Sequence, residues 1–434
     1  MNMNRKTFIR GLGLGAIGAV GGAGLRGKTG NACAAEISAL PAYGTVPDRD
    51  FWRAVRAQYP LDPELHYMNT GGLGPASKSV LKVFIDTTHA HQFKSDTGHE
   101  TLHDFREVVA GLFGAETSEI CFTRNATEGN SIIAGGLALT EGDEVIFEDH
   151  AHPGGSAPWY NLHMRRGVVA KLFTPDSESV EGNLQRIRAL ITPRTKVIQI
   201  SHVTAPTGIV LPAAEIAKLA HEHGLWFHID GAQSAGMFPF DLHAIGCDSY
   251  ATSGHKWLGA PHETGILFIR KERNAEVAPI SAGSYTGPLP AFLPGDGTMG
   301  YADDATRHEY GSRNAAAIAA VAAAVEFHNL IGPARIARHG RELALHLHEE
   351  LARIPSVEVL TPANPELRAS ITTFRTSKLG YSELFGRLMR DYHFRCRPVS
   401  EQGLDAVRVS THVFNTAGEV EALIAAVRDV LAKT

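Results

Sequence analysis

Cysteine is scarce in this 434-residue sequence. The four are Cys33, Cys121, Cys247 and Cys396, and no two of them form a C-x-x-C pair. Three scattered cysteines beyond the N-terminal segment cannot make a disulfide framework. The sequence also lacks an H-E-x-x-H motif, and His221 and His223 on a predicted helix are two residues apart, so they face different sides. We expect neither a disulfide scaffold nor a metal site.

A strong excess of positive charge is missing too. The chain has 41 Lys+Arg against 46 Asp+Glu, a net charge of −5. All five basic residues of positions 1–34 stand there without an acid, so the remainder is more acidic than this net charge suggests. An acidic body does not attract phosphate backbones or anionic lipid surfaces. We therefore expect no nucleic-acid partner.

No hydrophobic run is long enough for a membrane anchor, because the run at 11–25 has only about 15 residues and is rich in glycine. That run lies between a basic stretch and a small-residue site at 32–34, which is the order of an export signal. Residues 4–10 resemble a twin-arginine signal with Lys6 in place of the second arginine. We expect a cleaved signal peptide at 1–34 and a periplasmic protein, and ordinary unfolded secretion stays open.

The body of the chain has an ordinary globular composition, with 44% hydrophobic and 20% charged residues. Between residues 115 and 270, short apolar runs rich in β-branched residues alternate with stretches of helical length, which is typical of buried strands. We predict strands at 119–123, 144–147, 168–173, 196–201, 225–229, 248–252 and 265–269, and helices at 125–139, 180–190 and 213–223. The alternation predicts an α/β fold with a mostly parallel, seven-stranded sheet.

A Gly/Pro-rich segment at 281–300 interrupts this alternation. Beyond it we predict a smaller C-terminal α/β unit with helices at 314–329, 334–353, 381–392 and 417–432 and strands at 357–360, 370–374 and 407–410. The predicted division of the chain is an export signal at 1–34, an N-terminal segment at 35–62, a large domain at 63–310 and a small domain at 311–434.

Five polar clusters follow predicted strands within a few residues. They occupy residues 125–129, 150–153, 204–208, 230–233 and 253–257. Ligands of a parallel α/β sheet bind past the carboxyl ends of its strands. We therefore expect these five clusters to converge on one edge of the sheet.

Two charged residues in these clusters point to a specific chemistry. Lys256 lies in the string Ser-Gly-His-Lys-Trp with no acid beside it. Burial favours its neutral amine, and lowering the pKa from ~10.4 to ~7.4 corresponds to about 4 kcal/mol. A neutral amine is a nucleophile for an aldehyde. Asp230 follows an apolar strand, where it either caps a helix or faces a cation such as the protonated pyridine nitrogen of pyridoxal phosphate.

The remaining candidates complete such a site. Gln233 could hydrogen-bond the ring hydroxyl, and His152 could stack on the ring. Thr127, at the start of a predicted helix, offers a hydroxyl and backbone N–H groups to a phosphate, although a plain capping role is also open. Ser253 and His255 could add donors to the same phosphate.

Together these strings are similar to the class V aminotransferase family of fold-type I pyridoxal-phosphate enzymes, which includes cysteine desulfurases and isopenicillin N epimerase. The similar strings lie at 124–129, 201–208, 228–233 and 253–256, and the second is closest to the epimerase branch. The resemblance implies Lys256, Asp230 and His152 as catalytic residues. It implies a cofactor site made of Ala126, Thr127, His152, Asp230, Gln233, Ser253, His255 and Lys256. It also implies Asn69 and Arg408 as substrate-binding residues.

The resemblance further implies an enzyme that acts at the α-carbon of an amino acid or a peptide-borne amino acid, either as an aminotransferase or as an epimerase. Exported members resemble enzymes that process a glutamyl residue during siderophore maturation. Relatives form homodimers, and residues 281–287 and 310–313 could contribute across the interface. No residue for a second base is identified.

Two other functions remain as alternatives. A cysteine desulfurase needs a mobile cysteine, but the corresponding loop at 397–403 has none and Cys396 lies just outside it. A serine hydrolase is suggested by Ser234, because residues 232–236 approximate the G-x-S-x-G elbow with alanine in place of the first glycine. That hydrolase would leave Lys256 and Thr127 unexplained.

Overall fold

The computed structural model describes residues 40–41, 43–287 and 300–434. The predicted export signal at 1–34 and part of the Gly/Pro-rich segment, 288–299, lie outside the described residues. Within them, no single helix is long and apolar enough to cross a membrane. One consecutive helix pair, Ala315–Ile331 and Pro333–Ala352, meets the length and composition criteria jointly but is bent by 77°.

Regular structure alternates along most of the chain. The helices are α1 (Asp48–Arg56), α2 (Lys78–Lys94), α3 (Leu102–Phe113), α4 (Ala126–Gly136), α5 (Pro153–Arg166), α6 (Val180–Arg188), α7 (Ala213–Glu222), α8 (Leu242–Ile245), α9 (Ala315–Ile331), α10 (Pro333–Ala352), α11 (Tyr381–Tyr392) and α12 (Ala417–Ala432). The strands are β1 (His66–Tyr67), β2 (Ile120–Thr123), β3 (Glu144–Glu148), β4 (Val169–Phe173), β5 (Thr195–Ser201), β6 (Trp226–Asp230), β7 (Ser249–Ser253), β8 (Gly265–Ile269), β9 (Val357–Val359), β10 (Ile371–Thr376), β11 (Phe394–Arg395), β12 (Arg397–Val399) and β13 (Ala406–Ser410).

The large sheet has seven strands in the order β2-β8-β7-β6-β5-β3-β4. Only β8 runs against its neighbours, and the pairs from β7 to β4 are parallel. Each strand begins and ends within one residue of its predicted position, because continuous apolar runs mark strands that are buried on both faces. The predicted fold, a mostly parallel seven-stranded sheet with a smaller C-terminal α/β unit, is confirmed.

Helices cover both faces of this sheet. Adjacent residues of one strand reach different cores, so that Phe122 packs on one side and Cys121 on the other. The first face is covered by α2, α3, α7 and α9, and the second by α4 and α5. The alanine-rich α9 is almost wholly buried and packs against α2 and α3. The predicted domain boundary at residue 310 stays a prediction.

The C-terminal unit is a four-stranded antiparallel sheet in the order β12-β13-β10-β9, with α10, α11 and α12 around its core. The N-terminal strand β1 contacts this unit. It pairs with β11, and Asn69 forms a β-bridge with Ser410. Sequence analysis missed β1, β11 and β12, which are only two or three residues long and carry too little periodicity to be recognised.

Candidate active site

The five polar clusters meet at one edge of the large sheet. Strands β2, β3, β5, β6 and β7 all end there, because β2 and β7 are both antiparallel to the reversed strand β8. Direct bonds join the clusters. Ala126 N donates to Ser253 Oγ (3.0 Å), and His150 Nδ1 lies 3.1 Å from Thr207 Oγ1. The structure therefore brings together residues that are 127 positions apart in the sequence.

Asp230 lies at the end of β6 and is buried. Its Oδ1 accepts a hydrogen bond from Ala232 N (3.0 Å), and its Oδ2 accepts one from Asn130 Nδ2 (3.1 Å). Both donors are neutral, and the ion pairs among the described residues do not include Asp230. The carboxylate is thus positioned without being neutralised, which suits it to hold a cationic group of a ligand.

A chain of buried side chains supports this carboxylate from behind. Asn130 Oδ1 lies 2.9 Å from His228 Nε2, His228 Nδ1 lies 2.8 Å from Ser249 Oγ, and Trp226 Nε1 donates to that hydroxyl (2.9 Å). The carboxylate can only accept, so Asn130 directs its NH2 group toward Asp230 and its amide oxygen accepts from His228 Nε2–H. Burial lowers the pKa of His228 to about 3, so the ring is neutral with its proton on Nε2 and its Nδ1 accepts from the Ser249 hydroxyl.

Sequence analysis did not single out Asn130 and His228. A signal was present for His228, since it stands two residues before Asp230 and alternate residues of a strand face the same side. Asn130 is three residues after Thr127 on α4 and lies on the helix face toward Asp230. That orientation depends on how α4 packs on the sheet.

Lys256 follows β7 directly and stands in a turn that is held from three sides. Gly74 N donates to His255 O (2.8 Å), and the ring Nε2 atoms of His412 and His328 lie 2.7 and 3.1 Å from Trp257 O. The half-buried Lys256 lies within electrostatic reach of Asp230, Arg408 and His152. Burial lowers its pKa to about 8, Asp230 opposes this shift, and Arg408 and Arg397 add to it. A usable fraction of neutral amine exists near pH 8.

The predicted phosphate residues lie around the N-terminus of α4. Asn125 caps this helix by accepting from Glu128 N (2.9 Å). Ser253 already accepts from Ala126 N, so its hydroxyl hydrogen stays available as a donor. His255 Nδ1 is buried and has no hydrogen-bond partner among the described residues, and burial lowers the pKa of this ring to about 4. These groups and the helix end suit an anion.

Two glycines at the start of α5 keep the centre of the cleft open. A Cβ atom on Gly154 would lie 2.5 Å from Thr127 Oγ1, and one on Gly155 would lie 2.7 Å from Asp230 Oδ2. His152 caps the same helix, accepting from Gly154 N with Nδ1 (3.0 Å). Its exposed ring borders the cleft, where desolvation and the charge of Lys256 lower its pKa. A side chain at either glycine would therefore crowd Thr127 and Asp230, two residues predicted to hold the cofactor.

The predicted substrate residues lie across the cleft on the C-terminal unit. Arg408 is buried and donates to Ala205 O (2.8 Å) and Asn69 Oδ1 (3.1 Å). Its Nε has no partner in the described part of the chain, and no carboxylate there pairs with it. Burial and the charge of Arg397 lower its pKa to about 9. A buried arginine without an acid is a receptor for a ligand carboxylate.

Gln233 is partly engaged by the protein itself. Its Oε1 accepts from Trp257 Nε1 (2.8 Å), and its Nε2 donates to Gly71 O (2.8 Å). Only the second hydrogen of its amide remains for a ligand. Gln233 thus also connects the lysine turn with the N-terminal loop that carries Asn69.

A cavity of about 500 Å³ lies on the outer side of α4. It is lined by Arg124, Thr127, Glu128, Ser281, His308 and Tyr310, among others. The two segments expected to contribute across a dimer interface, 281–287 and 310–313, thus each place a residue beside the predicted phosphate site.

The residues of the two alternative functions are placed differently. Ser234 is fully buried, and its hydroxyl contacts Gly231 O (3.2 Å) and Tyr250 OH (2.9 Å) without any histidine partner. It is not an exposed nucleophile, so the hydrolase interpretation is wrong. Cys396 is buried as well, and burial raises the pKa of its thiol to about 12.

Comparison with known proteins agrees with this geometry. Residues 86–423 match the family described as Aminotransferase class-V. The chain belongs to the class-V aminotransferase family. As a member of it, the chain is a pyridoxal-phosphate-dependent enzyme, and the predicted cofactor is confirmed.

Individual relatives of this class-V enzyme have different names. An isopenicillin N epimerase from Amycolatopsis lactamdurans is 31% identical over 396 residues, covering 87% of this chain and 98% of that protein. A probable cysteine desulfurase from Methanothermobacter thermautotrophicus is 28% identical over 392 residues, covering 85% and 95%. Among solved structures, a C-DES mutant with glycine covalently linked to its pyridoxal phosphate has a TM-score of 0.78 at 25% identity, covering 88% of this chain and all of that one.

Proposed function

We propose that this class-V enzyme acts at the α-carbon of an amino acid or a peptide-borne amino acid, as an aminotransferase or an epimerase. The observation that carries the proposal is that Lys256, Asp230 and Arg408 face one cleft, each without a neutralising ion pair among the described residues. An amine, an anion and a carboxylate receptor are the three groups that this chemistry requires.

Each residue has a defined task. When bound, pyridoxal phosphate supplies an electron sink that stabilises negative charge at the α-carbon of an attached amine. Asp230 would hold the positive charge of the ring nitrogen, and Thr127, Ser253 and His255 would hold the phosphate. Arg408 binds the substrate carboxylate. Lys256 Nζ takes the α-proton as general base, which its pKa of about 8 favours at neutral to mildly alkaline pH.

A desulfurase function has less support. A persulfide-forming cysteine must be accessible and ionised. The three cysteines among the described residues, Cys121, Cys247 and Cys396, are all buried, and burial raises the pKa of each thiol.

We further propose that the enzyme is a periplasmic homodimer. The export signal at 1–34 supports the location. The cavity beside Thr127 supports the dimer, because it offers space for partner residues next to the phosphate site.

The experiment uses purified protein mixed with amino acids and with glutamyl peptides, followed by absorbance. We expect a coloured enzyme, bleaching by a subset of amino acids, and either a keto product or an inverted stereocentre. Lys256→Ala should remove the colour, whereas the exposed Lys271→Ala should retain it. A colourless wild type, or Lys256→Ala with the full spectrum and turnover, would refute the proposal.

A further inference from the structure

The strand β4 forms one edge of the large sheet. It pairs with β3 on one side and has no strand on its other side among the described residues. Val169 N donates to Asp143 O (2.8 Å), so the backbone groups of Val169 point toward β3 and the residue before it. Because these groups alternate along a strand, those of Ala170 and Leu172 point away from the sheet. The edge thus offers the N–H and C=O groups of two residues to another strand.

The usual protections of an exposed sheet edge are missing from β4. Edge strands commonly carry outward charges, prolines or bulges that prevent pairing with another chain. β4 has the sequence Val-Ala-Lys-Leu-Phe, without proline, and its register with β3 is continuous. Its charged residue, Lys171, is turned back onto the protein, since its Nζ lies 3.0 Å from Glu144 Oε2 and donates to Leu190 O (3.0 Å). Nothing in the strand therefore opposes the addition of a further strand.

Exposed apolar side chains lie along this edge. Val169 and Leu172 of β4 are 38% and 44% exposed, and Tyr160 and Met164, one turn apart on α5, are 42% and 77% exposed. The ring of Tyr160 contacts that of Phe147 (5.6 Å between centroids), and Phe147 is the cross-strand partner of Leu172. Tyr160 and Leu172 therefore lie close together on the α5 side of the sheet. Apolar side chains exposed together indicate an interaction surface.

The charges that flank β4 have opposite signs at its two ends. Arg165 and Arg166, exposed in the last turn of α5, precede the strand. Glu178 and Glu181, exposed as well, follow it near the N-terminus of α6. An antiparallel neighbour with the same sequence would place its glutamates beside these arginines and its arginines beside these glutamates. A parallel neighbour would place like charges together. The edge is thus complementary to itself in the antiparallel direction.

We propose that β4 pairs with β4 of a second copy of this chain, antiparallel and about a two-fold axis, so that the two large sheets become continuous. The backbone groups of Ala170 and Leu172 form the hydrogen bonds, the apolar side chains cover each other, and the flanking charges fix the direction. A two-fold pairing satisfies both edges at once, so it leaves neither free for a third copy.

This surface is separate from the cavity beside Thr127. That cavity lies on the outer side of α4, which packs on β7, and β6, β5 and β3 lie between β7 and β4. The pairing therefore goes beyond the proposed dimer and does not depend on it. With or without a second interface at the cavity, loss of the β4 pairing halves the mass of the particle.

The test measures the mass of the holoenzyme by sedimentation velocity over a dilution series. Leu172→Lys places a charge in the pairing, and Ala170→Pro removes an outward N–H and leaves the bonds to β3 in place. For each variant we expect the dissociation constant of the pairing to rise at least a hundredfold, which halves the mass. Leu330→Lys, at a similarly exposed leucine of α9 (47%), is the control and should keep the wild-type mass.

A wild type with the same mass as Leu172→Lys at every concentration would overturn the inference. The same result is expected if the edge binds another segment of this chain or a strand of a different protein. The absorbance of the cofactor, recorded on the same samples, should be equal in the wild type and all variants and shows that each variant is folded.

Charge reversal tests the direction of the pairing with exposed residues only. Arg165→Glu combined with Arg166→Glu should halve the mass, because it brings like charges together, and so should Glu178→Arg combined with Glu181→Arg. All four substitutions together exchange the two flanks and should restore the wild-type mass. A fourfold variant that keeps the halved mass would contradict the antiparallel pairing and overturn the inference.

Discussion

Two buried acids at the sheet edge, Asp230 and Glu148, differ in the number of hydrogen-bond donors to their carboxyl groups. Asp230 receives a hydrogen bond on each oxygen, whereas Glu148 accepts only from Ser201 N (2.9 Å) and its other oxygen has no partner among the described residues. Burial raises the pKa of Glu148 to about 7, its bond to Ser201 opposes this shift, and the charge of Asp230 adds to it. The two acids lie at the ends of β3 and β6.

Glu148 predicts a pH dependence of stability. Between pH 4.5 and 7 the folded state keeps this proton and the unfolded state loses it, so the free energy of unfolding falls as pH rises and then levels off. Glu148→Gln removes this loss. The free energy of unfolding is measured by urea denaturation at pH 5 and at pH 8. Between these two pH values the wild type should lose about 2 to 3 kcal/mol more than the variant.

The exposed Glu181→Gln serves as the control and should follow the wild type. If Glu148→Gln followed it as well, the carboxyl group would be ionised throughout and the interpretation would be wrong.

Asn130 predicts a loss of cofactor affinity. Asn130→Ala removes one of the two bonds to Asp230 and leaves His228 Nε2 without an acceptor. An unsatisfied buried group costs about 1–3 kcal/mol, so the Kd of pyridoxal phosphate should rise about tenfold and the apoenzyme should also lose stability. Calorimetric titration and thermal unfolding measure the two effects. Ser131→Ala, at the next residue of α4, is the control and should change the Kd by less than twofold and the melting temperature by less than 1 °C. Equal effects in both variants would show that the loss comes from the helix and not from the contact of Asn130 with Asp230.

At the scale of elements, α5 explains why the site stays open. Its sequence contains Gly154, Gly155 and Pro158, and we predicted no helix there. Proline has no N–H, so the carbonyl of Gly154, four residues earlier, lacks its usual helical donor. Asn130 donates to that carbonyl instead (3.0 Å). Pro158 therefore frees the carbonyl through which α5 is hydrogen-bonded to α4.

The glycines predict a steric effect on cofactor binding. Gly154→Ala should place a methyl group 2.5 Å from Thr127 Oγ1 and fill the space next to the phosphate residues. We expect at least a hundredfold rise in the Kd of pyridoxal phosphate and a smaller loss of fold stability from the displaced Thr127 side chain, measured by titration and by thermal unfolding.

Gly111→Ala is the matched control. Gly111 is an exposed helical residue with nothing within 4 Å of the added Cβ, so its substitution should stabilise the fold by about 0.5–1 kcal/mol and leave the Kd unchanged. Normal affinity in Gly154→Ala would show that the ligand does not enter this space.

At the scale of the whole molecule, buried polar contacts join distant parts of the chain. Thr361 and Thr373 of the small unit donate to the carbonyls of Thr207 and Pro206 (2.7 and 2.8 Å). Glu309 accepts from Arg106 on α3 and from Phe122 N on β2, and so connects the segment after residue 300 to the large core.

This last contact predicts a large effect on stability. Glu309→Gln leaves Arg106 buried without its anion, and breaking a buried pair costs about 3–5 kcal/mol. Urea denaturation should show a loss of this size, whereas Asp86→Asn in the exposed pair with Lys82 should cost less than about 1 kcal/mol. A loss below 1 kcal/mol for Glu309→Gln would mean that water reaches Arg106.

The sequence by itself determined the seven strands of the large sheet and the family. Apolar runs and the strings around Lys256, Asp230 and Thr127 are local features, and their meaning does not depend on the rest of the chain. The edge where these strings meet follows from strand direction. Local pattern failed at α5, where two glycines and a proline are compensated by a donor from another helix.

Only the tertiary structure decided which side chains hydrogen-bond to each other and which like charges lie side by side. The chain from Asp230 to Trp226 needs α4 packed on β6, and the position of Arg397 beside Arg408 needs the register of β12 on β13. These relations join residues that are distant in sequence, and packing sets them, because a one-residue shift of a strand turns every side chain to the other face.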